Sequence, residues 1–350
     1  MSRSLNDVAE NVRRRRNARS LQGRTLFNTA GDIDQSSLGY DIAITTLTYI
    51  KKQITEQRFY EIVPADYVPI AVGDGGFSQA ILTNLVVTAS GDFEAGNVNQ
   101  ATANDRLATS DVGVASKTMA VINWAKAIGY SVFEIEQALQ ANNWDIIESK
   151  HRARKKDWDL GVQKIAFLGS LSNATNVPGL LTQSSVNSDT ATIALTISSM
   201  SSASFASFVQ NVVASYQNNC VYTAMPTHFL IPQDDYVGLA TPVSATYPFI
   251  SKLQYLKDAF AQIVPNGIKV QPLVYGIPNY NKNYVNGGTG LHRYVMYRYD
   301  AETLRMDIPV DYTVTAANTL NNFQFQDAGY GQYTGVGVYR PLEVLYFDAT

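Results

Sequence analysis

Cysteine is nearly absent from this chain. Cys220, alone among 350 residues, excludes an internal disulfide and any thiolate cluster. Histidine is almost as scarce: His151, His228 and His292 leave little material for metal sites or acid–base relays. Charge is thin as well. Asp, Glu, Lys and Arg make up 16% of the residues, where ordinary soluble domains carry roughly 25%. A solitary globule keeps its surface wet with charges; here neutral Ser, Thr, Asn, Gln and Tyr take their place, which points to a surface much of which meets other protein. Hydrophobic residues reach 45%, yet no uncharged apolar run approaches the roughly 20 residues of a membrane span. The N-terminal MSRSLNDVAENVRRRRNARS has arginines with no apolar core behind them, unlike a signal peptide. No membrane partner is expected.

The motifs that carry chemistry are missing too. No G-x-x-x-x-G-K-[ST] occurs, so Gly73 to Gly76 reads as a turn rather than a phosphate cradle. Gly331 to Gly337 is a loose match to a dinucleotide fingerprint with no helix after it. Asp32-Ile33-Asp34 begins like an EF-hand loop, but Ser37 stands where the glycine belongs and Ala43 where the bidentate Glu should be. Glu148 and His151 have the spacing of a di-iron bundle ligand pair, which needs a second copy that neither His228 nor His292 supplies. His151 therefore reads as a surface residue, and Cys220 as a buried one. No catalytic residue, no cofactor and no metal site is expected.

What is present is uneven. At roughly 150 residues per domain the length allows two or three structural units. Residues 1–25 hold Arg3, Arg13, Arg14, Arg15, Arg16, Arg19 and Arg24 against Asp7 and Glu10, a net +5, while the remainder sums to −8. A polar segment with four consecutive arginines builds no core of its own. It reads either as a solvated tail or as an arm that reaches a neighbouring subunit or a polyanion, the latter with salt-sensitive, sequence-independent contact.

Beyond the arm, Ile42, Ala43, Leu47, Ile50 and Ile54 recur near helical spacing and predict a helix over 38–57. From Phe59 the pattern becomes extended and proline-broken. Strands at 81–88 and approaching Trp124, with a glycine-marked tip between them, make 58–128 a long hairpin-like excursion. Residues 131–170 then contain no proline. Ser131 and Glu134 have capping-box spacing, and Ile135, Leu139, Ile146, Ala153 and Leu160 keep a seven-residue beat. Continuous, this helix would run about 40 residues, or about 60 Å, which predicts a plate-like or elongated protein. Its polar middle puts Arg152, Arg154, Lys155 and Lys156 on a charged, solvated face.

The rest reads as mixed structure. Phe205, Phe208, Val209, Val212 and Val213 predict an amphipathic helix over 203–218, His228 to Pro232 a buried strand, and 249–262 another helix. Residues 241–248 read as loop and 279–290 as a turn-rich crossing. Leu304 to Val314 alternates with period two and predicts one strand; Val336 to Arg340 and Glu343 to Phe347 close the chain as strands.

Taken in order, these features resemble the tailed-bacteriophage major capsid proteins of HK97-like fold. The residues that carry the resemblance are Tyr60-Glu61-Ile62-Val63-Pro64 with Val72-Gly73, Gly91-Asp92-Phe93-Glu94-Ala95-Gly96 and Trp124-Ala125-Lys126. They continue with Ala153-Arg154-Lys155-Lys156-Asp157-Trp158-Asp159-Leu160-Gly161, Phe167-Leu168-Gly169 and Val177-Pro178-Gly179-Leu180-Leu181. The resemblance is best over 58–182 and thins over 190–290. It implies an α+β fold: a basic N-terminal arm (1–37), a joining helix (38–57), an extended β E-loop (58–128), a peripheral domain with its spine helix (129–190, spine 131–170), an axial domain (191–290) and returning strands (291–350).

The resemblance further implies a homo-oligomer of pentamers and hexamers forming an icosahedral shell around a double-stranded DNA genome, bound non-specifically. Portal, scaffolding and decoration proteins are implied as partners, and assembly in the host cytoplasm into a virion. Arm residues Arg13, Arg14, Arg15, Arg16 and Arg19 would touch a neighbour or DNA, and E-loop residues Asp92, Phe93, Glu94 and Arg106 a neighbouring subunit. Because the spine-side fold begins near residue 38, a separate scaffolding protein is expected. No lysine lies between Lys52 and Lys117, so the E-loop tip cannot donate one to an isopeptide crosslink, and a non-covalent lattice follows. Two alternatives stay open from sequence: an encapsulin-type nanocompartment of the same fold, and a β-rich carbohydrate-binding or hydrolytic protein using the 21 tyrosines as sugar platforms.

Overall fold

The computed structural model describes residues 58–73, 77–89, 111–141, 146–244, 247–321 and 323–349. The chain divides into two units, Met1–Tyr60 and Glu61–Thr350. The basic arm and the helix expected over 38–57 lie outside the described residues, as does the tip with Asp92, Phe93, Glu94 and Arg106.

In the second unit, β1 (Ile70–Val72) precedes the paired strands β2 (Ala80–Ala89) and β3 (Asp111–Ser131). Their antiparallel register runs from Ala80 opposite Ala120 to Ala89 opposite Asp111, the hairpin arrangement that the sequence predicts. Immediately after β3, α1 (Val132–Ala141) starts at the expected box: the Glu134 amide donates to Ser131 Oγ and the Ser131 amide to Glu134 Oε2, both at 3.2 Å. Two otherwise orphaned helix donors are thereby satisfied. Next comes α2 (Ile146–Leu168). The single helix expected over 131–170 is therefore present as two helices, and continuity through 142–145 falls outside the described residues.

The seven-residue stripe needs correction. Ala153 is exposed and Leu160 half-buried, while the buried line of α2 is Arg154, Trp158, Val162 and Ala166. Four-residue steps keep side chains on one face of a straight helix, and the large residues of this line, rather than the small Ala153, fill the space against the sheet.

Downstream, β4 (Asn187–Asp189), α3 (Ser202–Asn219), β5 (His228–Pro232), α4 (Gln233–Gly238), β6 (Pro242–Ser244) and β7 (Tyr247–Ser251) follow. The segment 241–248, expected as loop, is thus part of a small antiparallel hairpin. After α5 (Lys252–Ile263), the chain is mostly strand: β8 (Lys269–Leu273), β9 (His292–Tyr297), β10 (Leu304–Ile308), β11 (Val310–Val314), β12 (Asn318–Asn321), β13 (Gln324–Thr334), β14 (Val336–Val338) and β15 (Val344–Ala349). The period-two run 304–314 is two strands, not one. Pro309 separates them, since it has no amide to continue a ladder; β10 joins a sheet with β1 and β14, and β11 pairs with β13.

A five-stranded sheet in the order β4-β15-β9-β5-β8 separates two cores. Phe229, Ile231, Tyr294, Met296, Leu345 and Phe347 pack on one face with α3 and α5. Their sequence neighbours Leu230, Val295, Tyr297, Val344 and Tyr346 pack on the other, with Trp158, Val162 and Phe167 of α2. Burial of both faces explains why these strands read as continuous apolar runs instead of alternating ones. All five residues of the predicted strand His228–Pro232 are buried.

Candidate assembly surfaces

Arg154 projects from α2 toward β13. Its Nη2 donates to Asp327 Oδ2 at 2.8 Å, Nη1 to the Asp327 carbonyl at 3.0 Å, and Nε to the Tyr312 hydroxyl at 2.8 Å. Both charged side chains are almost wholly covered, at 1% and 3% exposure. Burial alone would depress the guanidinium pKa, but the hydrogen bonds to Asp327 and Tyr312 outweigh it and the net shift is upward. Gly329 makes room for the pair: a β-carbon there would lie 2.8 Å from Arg154 Nε and from the Tyr312 ring. Two residues on, Gly331 does the same for Trp158, whose ring would sit 2.5 Å from such a carbon.

This corrects the expectation that Arg154 belongs to a solvated charged face. Its burial follows from Asp327 and Gly329, both 173 or more positions downstream, which no local pattern reveals. His151 stands at the rim of the same pair, its Nδ1 3.1 Å from Arg154 Nη2 and 3.5 Å from Asp327 Oδ2. It is only partly exposed.

The other three cations stay outward, and their surroundings are acidic. Arg152 pairs with Glu148 at 2.7 Å, one helical turn earlier, and Lys156 with Glu61 at 2.8 Å. Lys155 is exposed and lies near Asp159, whose pKa burial raises while Lys155 opposes the shift. Lys126–Asp157 at 2.6 Å and Lys150–Glu134 at 3.0 Å extend the pattern. Exposed pairs of this kind contribute little to stability, because water and salt screen them. Their effect is electrical: this side of α2 presents paired charges, not a cationic wall.

Large apolar side chains, by contrast, stand uncovered. Phe249 on β7 is 99% exposed. Phe133 and Phe323 stack on each other at 6.1 Å with both rings outward, and the exposed Phe77 stacks on Tyr330 at 5.8 Å. Sequence reasoning passed over these positions. No local signal marks them; the charge-free stretch that the sequence does show, from Thr190 to Gln233, holds none of these rings. Among the described residues no group of three His, Cys, Asp or Glu side chains could hold a metal ion, and no helix is long and apolar enough to cross a membrane.

A family model described as "Major capsid protein" matches residues 95–349. A search of curated proteins gives no match. Among solved structures, the chain is similar to the capsid of Myoviridae phage XM1, with a TM-score of 0.70 at 15% identity over 92% of this chain and 100% of that one. It is also similar to a structure from Microbacterium phage Oxtober96, with a TM-score of 0.56 at 10% identity over 89% of this chain and 98% of that one. The capsid of cyanophage P-SCSP1u gives a TM-score of 0.54 at 11% identity, over 88% of this chain and 94% of that one. At such identities the likeness is one of fold.

Proposed function

The chain belongs to the major capsid protein family and has the HK97-like α+β fold, and we propose that it assembles as pentamers and hexamers into an icosahedral shell around a double-stranded DNA phage genome. The observation that carries this reading is the family match over residues 95–349. The surface chemistry supports it: a chain with 16% charged residues and several uncovered aromatic rings gains stability when neighbouring copies cover them.

In this reading, residues 1–37 are the arm and 58–128 the E-loop. The peripheral domain covers 129–190, the axial domain 191–290, and the returning strands 291–350. Arg13, Arg14, Arg15, Arg16 and Arg19 reach a neighbouring subunit or the packaged DNA, and Asp92, Phe93, Glu94 and Arg106 of the E-loop lie against an adjacent copy. On the spine helix, Arg152, Lys155 and Lys156 remain candidates for contact and Arg154 does not, because Asp327 already occupies it. The role is structural, without cofactor or catalysis, in a virion assembled in the host cytoplasm with portal, scaffolding and decoration proteins as partners.

Electron microscopy of the purified full chain tests the reading. Closed icosahedral particles, or capsomers that close into them when scaffold is supplied, are the expected result. Protein that stays monomeric at high concentration, with a melting temperature indifferent to dilution, would overturn it.

A further inference from the structure

The turn that follows α3 holds two consecutive residues in the left-handed region, Val221 at φ 51° and Tyr222 at φ 58°. For a β-branched residue this is an outlier, because the β-carbon crowds the neighbouring carbonyl. The interior gains nothing in return. Val221 is 68% exposed and Tyr222 71%, with Met225 at 45%.

The turn is nonetheless tightly held. The Tyr222 amide donates to the Gln217 carbonyl at 2.8 Å and its hydroxyl to Asn218 Oδ1 at 2.7 Å. Gln217 Nε2 reaches Met225 Sδ at 3.2 Å, and Thr223 Oγ1 donates to the Cys220 carbonyl at 2.5 Å. A strained turn, fixed by several bonds and displaying Val221, the Tyr222 ring and Met225 outward beside the polar Asn218 and Thr223, has the character of a preorganised contact.

We propose that the Val221–Tyr222 turn is a rigid docking knuckle for a second copy of this chain. The proposal rests on the shell-subunit reading above. Charge selects the occupant. The turn lies inside the stretch from Thr190 to Gln233 that has no Asp, Glu, Lys or Arg, and the exposed face of α3 leading to it is built of Ala203, Ala206, Ser207, Gln210 and Asn211. Such a face offers a polyanion or a charged protein nothing to read. Two copies of one chain bring identical charges to each other, so a contact between them gains from carrying none. Size points the same way. The three side chains expose on the order of a few hundred Å2 of apolar surface, short of the roughly 1,000 Å2 that a stable two-body interface needs. A contact this small persists when many are made together, as in a closed lattice.

The test compares the concentration at which full-length protein begins to assemble, followed by sedimentation velocity and microscopy. Asn tolerates the left-handed region, so the double variant Val221→Asn, Tyr222→Asn keeps the turn and removes its apolar face. It is expected to melt no lower than the parent when unassembled and to need at least tenfold more protein to assemble. A second variant, Tyr222→Lys, puts an unpaired charge into the apolar contact, and its threshold should rise at least as far. An unchanged threshold in either variant overturns the knuckle. Parent protein that associates without ever closing into particles overturns the shell reading instead, and the knuckle is still judged by the threshold shift.

Discussion

Gly169 and Gly179 are packed backbone to backbone. A β-carbon on Gly179 would lie 2.4 Å from the Gly169 nitrogen and 2.5 Å from the Phe167 carbonyl, and Gly169 itself turns out of α2 at φ +74°. This close approach lets the segment after the helix finish it. The carbonyls of Ile165, Ala166 and Phe167 accept from the amides of Gly169, Leu180 and Leu181, each at 2.9 Å, and the Leu168 carbonyl accepts from Thr182 Oγ1 at 3.0 Å. All four carbonyls that a helix end normally leaves unpaired are satisfied by the chain itself.

Gly179→Ala is therefore expected to destabilise the unassembled subunit by about 2–3 kcal/mol, since the obstructing atoms are backbone and cannot rotate aside. The urea midpoint of capsomers or subunits measures this. A midpoint equal to that of the parent would show that the segment can retreat from the helix without loss.

The pair Arg154–Asp327 gives a second expectation. Asp327→Ala leaves a guanidinium buried and unpaired, and removal of one partner of a buried pair costs about 3–5 kcal/mol. Arg154→Met combined with Asp327→Leu removes both charges and should recover most of that loss. The denaturation curves of the parent, Asp327→Ala and the double variant decide it; a double variant no better than Asp327→Ala would mean that the pair also sets the register of α2 on β13.

Acid should weaken the fold through His228. Its ring is covered by Tyr299 at 4.9 Å and Tyr297 at 5.4 Å, and burial, then the nearby Lys269, pushes its pKa down to about 4. The unfolded chain takes up this proton near its ordinary value of about 6.5 while the folded chain refuses it until about pH 4. Stability is thus full above about pH 6.5 and declines as pH falls toward about 4, by roughly 3 kcal/mol. His228→Phe should flatten that part of the stability–pH curve. An unchanged slope would assign the acid sensitivity to other groups.

Particles boiled in detergent should run as single chains of 38.4 kDa, because no lysine between Lys52 and Lys117 is available to an E-loop crosslink. A ladder of higher bands on a denaturing gel would contradict this.

Elements whose partners are local were legible in advance. The Ser131–Glu134 box needs only its own turn, and Phe205, Phe208, Val209, Val212 and Val213, read as one face of a helix, are all buried in α3. The period-two alternation over 304–314 is present in the sequence, but burial does not follow it: Met306 to Val310 are all buried and Val314 is exposed. Which sheet each half joins depends on β1, β14 and β13, and a proline at a strand junction does not announce the partner on either side.

By itself, then, the sequence determined where the backbone repeats at 3.6 or 2 residues, where it is capped, and how little charge is available to keep the surface wet. Those properties are set by each residue and its near neighbours. Tertiary structure alone decided that Arg154 turns inward, that Gly329 and Gly331 are gaps shaped for Arg154 and Trp158, and that Val221 and Tyr222 stand strained and uncovered. Each of these depends on atoms brought together across long chain separations or on backbone angles, and neither has a counterpart in local spacing.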